Sequence, residues 1–185
     1  MLLFTKKEVA NMSIENNVSI NNFHIPRWNE LPTIDLFLEQ VVTLINSSLS
    51  PYIFINNNST CENELLTKTM INNYVKNNLI EPPVKKQYSK TQISKLFVIC
   101  VLKQVYSMQD IKSLIGIALR DSNLQTAYDK FCDLFEEAFQ CTYNKTDFID
   151  NSSKNDSLYL LKSVLLSCSY KIYVKNITSS EKTND

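Results

Sequence analysis

Apolar residues recur every three or four positions along most of the chain, which is the spacing typical of helices. Thr33, Thr67 and Ser89 stand at the starts of three such runs, where a hydroxyl side chain can cap a helix. Ser107 and Asp110 form a further capping box. The pattern predicts an all-α protein with helices at residues 33–48, 67–77, 89–106, 107–115, 122–140 and 156–175.

The segments between and before these runs differ in character. Pro82 and Pro83 exclude a helix there, so an extended connector joins the second helix to the third. Residues 1–30 show little periodicity and many Asn and Ser residues, and we expect them to form a mobile N-terminal arm or a loosely docked segment. The run at 89–106 is apolar nearly all round, which predicts a helix at the centre of the fold.

Composition narrows the possible chemistry. The chain of 185 residues has a single glycine, Gly116, and a single histidine, His24, which excludes glycine-rich phosphate loops and paired-histidine zinc sites. The five cysteines form no Cys-x-x-Cys pair, and we interpret them as reduced core residues. No run of apolar residues is long enough to span a membrane. We therefore expect a cytoplasmic protein that is not an enzyme and needs no metal or cofactor.

Positive charge is concentrated in one window of a chain whose net charge is zero. Residues 66–104 carry seven lysines and one acid, Glu81. On the predicted helix at 67–77, one half of the helical wheel is polar and free of acids, and it carries Lys68, Thr69, Asn72, Asn73 and Lys76. Such a surface is typical of a segment that contacts nucleic-acid phosphates, and a solvated lysine-rich surface is the alternative.

The order of motifs resembles a known DNA-binding arrangement. A helix ending in Tyr-x-x-x-x-Leu-Ile (Tyr74 to Ile80) precedes the proline connector, the pair Tyr88-Ser89, a long apolar helix and Ser-Met-x-x-Ile-x-x-Leu (Ser107 to Leu114). This order resembles the MerR-type helix-turn-helix domain. More closely, residues 28–114 resemble a small bacterial family of uncharacterised helical proteins, with matching blocks at residues 31–36, 67–76 and 82–88.

The resemblance implies that the helix at 67–77 is a recognition helix laid in the major groove. It implies DNA contacts from this helix and from the basic residues that follow it: Lys68, Thr69, Asn72, Asn73, Tyr74, Lys76, Lys85, Lys86 and Lys90. Asn72 replaces the family's helix arginine, and Asn78 replaces its glycine after the helix. The segment between Pro82 and Tyr88 is too short for a two-stranded hairpin, so we expect a truncated wing.

We therefore expect a transcriptional regulator that binds double-stranded DNA. Its MerR-like domain would span residues 31–117, followed by a helical dimerisation or effector region at 118–178 and a tail at 179–185. The last two helices carry long apolar stripes that pair with each other or also complete a homodimer: Tyr128, Phe131, Phe135 and Phe139, and Leu158, Leu161, Leu165 and Cys168. The alternative is a helical protein–protein interaction module that does not bind DNA.

Overall fold

A computed structural model describes residues 20–54, 64–120, 122–148 and 157–181. Within those residues the chain is mostly helical, with one small antiparallel sheet, and the prediction of an all-α fold is confirmed. The elements are β1 (Leu36–Phe37), α1 (Leu38–Ile53), α2 (Lys68–Lys76), β2 (Gln87–Tyr88), α3 (Lys90–Leu102), α4 (Met108–Ala118), α5 (Leu124–Asn144) and α6 (Ser157–Glu181).

Local capping interactions start three of the helices where the sequence predicts them. The Thr67 hydroxyl accepts a hydrogen bond from the Met70 amide at 3.2 Å at the start of α2. At the start of α3, the Ser89 amide donates to the Gln92 side chain at 2.7 Å. Ser107 and Asp110 exchange the two bonds of a capping box at the start of α4. Each cap satisfies an amide that the first turn leaves without a helical partner.

The first helix does not begin where the sequence predicts. Residues 33–37 are not helical, because Leu36 and Phe37 pair with Tyr88 and Gln87 in the sheet. The helix begins only at Leu38, and the Gln40 side chain caps it by accepting from the Phe37 amide at 2.9 Å. The predicted helix start at Thr33 is therefore wrong, since pairing with a distant strand outweighs the local periodicity.

Helix α3 lies at the centre of the core, as predicted. Ile93, Leu96, Phe97 and Cys100 have no exposed surface, and α1, α5, α6 and β2 pack around the helix. Burial of a large apolar side chain stabilises the fold by about 1.5–3 kcal/mol. Helix α3 therefore holds β2, which precedes it, and α1, α5 and α6 in place around the core.

Helices α5 and α6 pair along their apolar stripes. Phe135, Phe139, Leu165 and Cys168 are all fully buried, and this pair makes the most extensive helix–helix contact of the described chain. The two helices run parallel: their first turns line the same cleft, and near their ends Asn176 donates to the Tyr143 hydroxyl at 2.7 Å. The stripes predicted from the sequence thus pair with each other within one chain, although Leu158 and Leu161 are only half-buried.

The described part of the N-terminal segment is docked onto α5. Phe23 and Ile25 are buried, and the Arg27 guanidinium donates twice to the Glu136 carboxylate, each bond 2.6 Å long. The Ile25 amide donates to the same carboxylate at 2.6 Å. Residues 20–30 are therefore docked, which is the second of the two alternatives drawn from the sequence, and residues 1–19 lie outside the described residues.

The cysteines of the described chain are free thiols. Cys100, Cys132 and Cys168 are buried and Cys141 is half-buried, whereas Cys61 lies outside the described residues. Burial raises the pKa of each buried thiol to about 12. Within the described ranges, no group of three or more potential metal ligands comes together, and no helix has the length and apolar character needed to cross a membrane.

Candidate nucleic-acid interface

Helix α2 is held at both ends by polar interactions of its own sequence. Thr67 caps the start, and Asn78 adopts a left-handed conformation (φ 54°) directly after the end. The Leu79 amide donates to the Tyr74 carbonyl at 2.9 Å, and the Asn78 amide donates to Val75 at 3.0 Å. These two bonds form a Schellman motif. Asn78 is therefore the left-handed C-cap that the sequence predicts in place of the family's glycine.

The two faces of α2 are divided as the wheel predicts. Ile71 is buried against the core, whereas the opposite face exposes Thr69, Asn72, Asn73 and Lys76. The amide of the Asn77 side chain donates to the Asn73 side-chain oxygen at 2.9 Å, which fixes the orientation of that amide group. The exposed face is uncharged apart from lysine, and it presents two asparagine amides at adjacent positions.

Tyr74 does not lie on this face. It is only 4% exposed, and burial raises the pKa of its hydroxyl well above its usual range. The ring of Tyr74 therefore packs α2 onto the core, and the contact of its hydroxyl with a DNA phosphate stays a prediction.

Lys68 faces an acid of the preceding helix. Its ammonium group lies 2.7 Å from the Glu39 carboxylate of α1, and both side chains are more than half exposed. The hydrogen bond from Lys68 holds the pKa of Glu39 below its usual range. Lys68 remains accessible, but part of its charge is compensated before any anion arrives. The link also helps fix α2 against α1, as do two 2.9 Å bonds between Asn46 and the Leu66 backbone.

The connector after α2 forms a tight hairpin turn. Val84 and Gln87 exchange two backbone hydrogen bonds of 3.0 and 2.9 Å, and Gln87 also pairs with Phe37 of β1 on its other side. Lys85 and Lys86 between them have φ angles of 50° and 67°. Two positive φ values identify a type I′ turn, which usually carries Asn-Gly. A two-residue hairpin therefore does form, contrary to the expectation, although the wing is as short as predicted.

The tip of this wing carries adjacent positive charges. Lys85 and Lys86 are both exposed, and neither makes an ion pair within the part of the chain that the structure describes. A non-glycine residue in the left-handed region costs roughly 1–2 kcal/mol, and the wing tip places two in succession. Such local strain is typical of functional segments, where the side chain matters more than the ease of the turn.

The other lysines of the basic window are engaged inside the protein. Lys90, the first residue of α3, places its ammonium 5.6 Å from the centre of the Trp28 ring. Lys95 pairs with Glu81 at 2.5 Å, and Lys103 donates to the carbonyl of Leu65. Of the seven lysines at 66–104, three are exposed and without an ion pair or aromatic partner in the described chain: Lys76, Lys85 and Lys86.

An apolar patch beside the wing is not predicted by the sequence. Ile34, Phe37 and Val84 are 71%, 50% and 69% exposed, respectively. Phe37 and Val84 both pair with Gln87, so their side chains lie on the same face of the small sheet. The sequence concealed this patch because Ile34 and Phe37 fit the apolar face of the helix predicted to begin at Thr33. Their exposure becomes visible only once β1 is recognised.

One known family matches the part of the chain that contains α2 and the wing. The family model described as "Domain of unknown function (DUF1836)" matches residues 26–131, which is more than half of the chain and includes α2, the wing, α3 and α4. No curated protein and no solved structure matches the chain. The similarity to an uncharacterised family that the sequence indicates is therefore confirmed. The chain belongs to the family described as the domain of unknown function DUF1836.

Proposed function

We propose that the protein is a DNA-binding transcriptional regulator that contacts double-stranded DNA through α2 and the wing tip. The observation that carries the proposal is the exposed, acid-free face of α2, which presents Thr69, Asn72, Asn73 and Lys76. A strained turn that bears Lys85 and Lys86 follows later in the chain. Phosphate contacts position a protein on DNA and contacts to base edges supply specificity. This surface has side chains suited to both.

The arrangement of elements supports a MerR-like helix-turn-helix of the kind found in bacteria. A short strand, two helices, a wing that pairs with the strand, and two further helices follow in that order. The two helices α1 and α2 are joined at Asn46 and Leu66 and by the Lys68–Glu39 pair. A second helix supported in this way by the first is the arrangement in which recognition helices are presented to the major groove.

The asparagines of α2 suit adenine. An Asn side chain can accept from N6 of adenine and donate to N7 in the major groove. The Asn72 amide makes no hydrogen bond in the described chain, whereas that of Asn73 is already oriented by Asn77. We assign the contact with a base edge to Asn72, with Asn73 beside it. The hydroxyl of Thr69 can donate to or accept from a neighbouring base.

The exposed lysines suit phosphates. Lys76, Lys85 and Lys86 provide three uncompensated charges, and Lys68 and Lys90 add charges that Glu39 and Trp28 already engage. Each neutralised phosphate changes the slope of log K against log salt by about −0.9, so we expect a slope of roughly −3 for one chain. Because its proposed partner is DNA, we also propose a cytoplasmic location.

Fluorescence anisotropy of the full chain on DNA from upstream of its own gene tests the proposal, with a scrambled duplex measured in parallel. We expect Asn72→Ala to reduce binding to the preferred site by about 1–3 kcal/mol without changing the scrambled duplex. Lys76→Gln should weaken both duplexes and reduce the salt slope by about one. Lys112→Gln, an exposed change on α4, is the control. Absence of binding at low salt would refute the proposal.

The second candidate is a protein–protein interaction module without DNA binding. The exposed side chains of Phe37 and Val84, which share one face of the small sheet, favour it, because apolar side chains grouped on a surface are typical of protein contacts. In that case a partner would be retained after Lys85→Gln and Lys86→Gln and lost after Phe37→Ser with Val84→Ser. The DNA-binding proposal predicts the reverse effect on duplex binding.

A further inference from the structure

A cleft lies between four helices, α3, α4, α5 and α6. It has a volume of about 360 Å³ and is partly open to solvent. Apolar residues from each of the four helices make up most of its lining, among them Val98, Leu114, Ile115, Ala127, Phe131 and Leu161. Pockets that hold small molecules usually have volumes of about 300–1,000 Å³ and mainly hydrophobic walls. The cleft therefore has the size and the character of a small-molecule site.

Helix α4 has an apolar face that the rest of the chain covers only in part. Four residues share this face at 100° per residue: Ile111, Leu114, Ile115 and Ala118. Ile111 is buried in the core, whereas Leu114 and Ile115 are half-buried and Ala118 is exposed. The last three line the cleft. A helix of a globular protein normally packs such a face against a neighbour, and on α4 the cleft takes the place of that neighbour.

The first turns of α6 border the cleft in the same way. Leu158 and Leu161 are half-buried, Leu160 is 40% exposed, and all three line the cleft. Further along the same helix, Leu165 and Cys168 have no exposed surface because α5 and α6 pack together there. The cleft is therefore bordered by apolar surface that the pairing of α5 and α6 leaves uncovered.

The charged residues of the lining are both lysines. Lys95 of α3 and Lys130 of α5 line the cleft, and none of the described residues of the lining is acidic. Glu81, which lies outside the cleft, pairs with Lys95 at 2.5 Å. Lys130 is exposed and makes no ion pair within the described ranges of the chain. The lining thus has one uncompensated positive charge next to its apolar walls.

The acids within one turn of Lys130 are engaged elsewhere. Asp129 accepts a hydrogen bond from the Trp28 amide at 2.6 Å, and Asp133 pairs with the Arg27 guanidinium at 2.8 Å. Both interactions are with the docked N-terminal segment, and neither acid lines the cleft. The charge of Lys130 is therefore available to a ligand in the cleft.

The lining and the volume together indicate the class of ligand. We infer that the cleft binds a small amphipathic anion, in which a hydrocarbon chain ends in a carboxylate. The apolar walls hold the chain, and Lys130 pairs with the carboxylate. A water molecule occupies roughly 30 Å³ and a methylene group is of similar size, so the cleft has room for about twelve non-hydrogen atoms. Decanoate has this size.

Isothermal titration calorimetry of the full chain with decanoate tests the inference. We expect one site per chain with a dissociation constant on the order of 10–100 µM. Octanoate and hexanoate should bind more weakly, by about fourfold for each methylene group removed, because each methylene buries apolar surface in the cleft. No binding of decanoate at about 1 mM, or an affinity that does not change with chain length, would overturn the inference.

Two tryptophan variants of α4 test where the ligand binds. Ala118→Trp fills the cleft from an exposed position and should weaken decanoate binding by at least about tenfold. Ser113→Trp adds the same ring at an exposed position outside the lining and should change the constant by less than about twofold. Circular dichroism shows whether the helices remain, and Ala127→Leu, which narrows the cleft from α5, replaces Ala118→Trp if that variant unfolds. Binding that neither cleft variant weakens would overturn the inference.

A comparison of decanoate with decan-1-ol tests the role of charge. Lys130→Gln should weaken decanoate by about two- to fivefold and leave the alcohol unchanged, because only the carboxylate pairs with the ammonium group. Lys112→Gln removes an exposed charge of α4 outside the lining and should change neither ligand. Equal effects of Lys130→Gln on both ligands would refute the assignment of an anion. The inference does not rest on the proposed function, and none of these measurements involves DNA.

Discussion

The wing tip offers a change with opposite expected effects on folding and on binding. Lys85 and Lys86 occupy the two central positions of a type I′ turn, with φ angles of 50° and 67°. Replacing them with asparagine and glycine, as Lys85→Asn with Lys86→Gly, supplies the residues that this turn prefers. The same change removes two exposed charges. If the native chain has lysines at the tip for their charge and in spite of the strain, the variant should be more stable and should bind DNA less well.

The two effects can be estimated separately. Strain of roughly 1–2 kcal/mol per left-handed lysine is relieved, but glycine adds conformational entropy to the unfolded chain, so we expect a net gain of about 1–2 kcal/mol. In a chain of this length each kcal/mol raises Tm by about 2–4 °C, which predicts an increase of roughly 2–8 °C. Loss of two phosphate contacts should reduce the magnitude of the salt slope by about two.

Thermal unfolding by circular dichroism and anisotropy at several salt concentrations measure the two effects. Lys145→Gly is a matched control: Lys145 also has a positive φ, of 56°, but it ends α5 and is not among the residues proposed to contact DNA. The control should gain stability and keep its DNA affinity and salt slope. An unchanged or lower Tm in the wing variant would refute the strain argument, and an unchanged salt slope would refute the wing contact.

Four further predictions concern stability and the burial of the thiols. Glu136→Ala leaves the Arg27 guanidinium, which is 23% exposed, without its double hydrogen bond. Unfolding in urea should show that the free energy of unfolding falls by about 2–4 kcal/mol. An unchanged urea midpoint would contradict this prediction. Thr67→Ala removes the cap of α2 and should cost about 1 kcal/mol in the same assay, whereas Thr67→Ser should restore most of it. Because burial raises three thiol pKa values to about 12 from 9.0, the folded state keeps protons that the unfolded chain loses, and stability should fall as pH rises from 9 towards 12. At pH 8, a thiol reagent applied to the native Cys61→Ser variant should react readily only with Cys141, and rapid reaction of a second thiol would contradict the burial of Cys100, Cys132 and Cys168.

The features that the sequence predicted correctly are those decided within one or two helical turns. Thr67, Ser89 and Ser107 cap helices through bonds to residues three positions away, and Asn78 closes α2 through its immediate neighbours. The exposed and buried faces of α2 follow from the same local geometry. Such interactions need no knowledge of the rest of the fold, which is why spacing and residue type were enough.

The features that it did not predict depend on residues far apart in the chain. Leu36 joins a strand because Tyr88 is there to pair with it, and that pairing displaces the start of α1 and exposes Phe37. The segment before the first helix docks because Arg27 reaches Glu136, more than a hundred positions away. None of these contacts leaves a periodic signal.

Charge was the property that the sequence overestimated. A window of seven lysines and one acid predicts a strongly basic surface, but that one acid, an acid outside the window and an aromatic ring reduce it. Glu39 compensates Lys68, Glu81 compensates Lys95, and Trp28 covers Lys90. The remaining positive surface is smaller and better localised, at the end of α2 and the wing tip. Because this positive surface is small, the proposal predicts that the affinity for DNA depends only weakly on salt concentration.

The choice of residues at left-handed positions supports a functional reading of the wing tip. Among the described residues, positive φ angles occur at Asn78, Lys85, Lys86 and Lys145, and none is glycine. The chain is rich in asparagine, which tolerates this conformation better than lysine does, and uses it at Asn78. Lys145 has an electrostatic reason, since a cation at the end of α5 interacts favourably with the helix dipole. No helix ends at Lys85 and Lys86, so the proposed contact with DNA phosphates would account for two lysines at positions where asparagine would fold more easily.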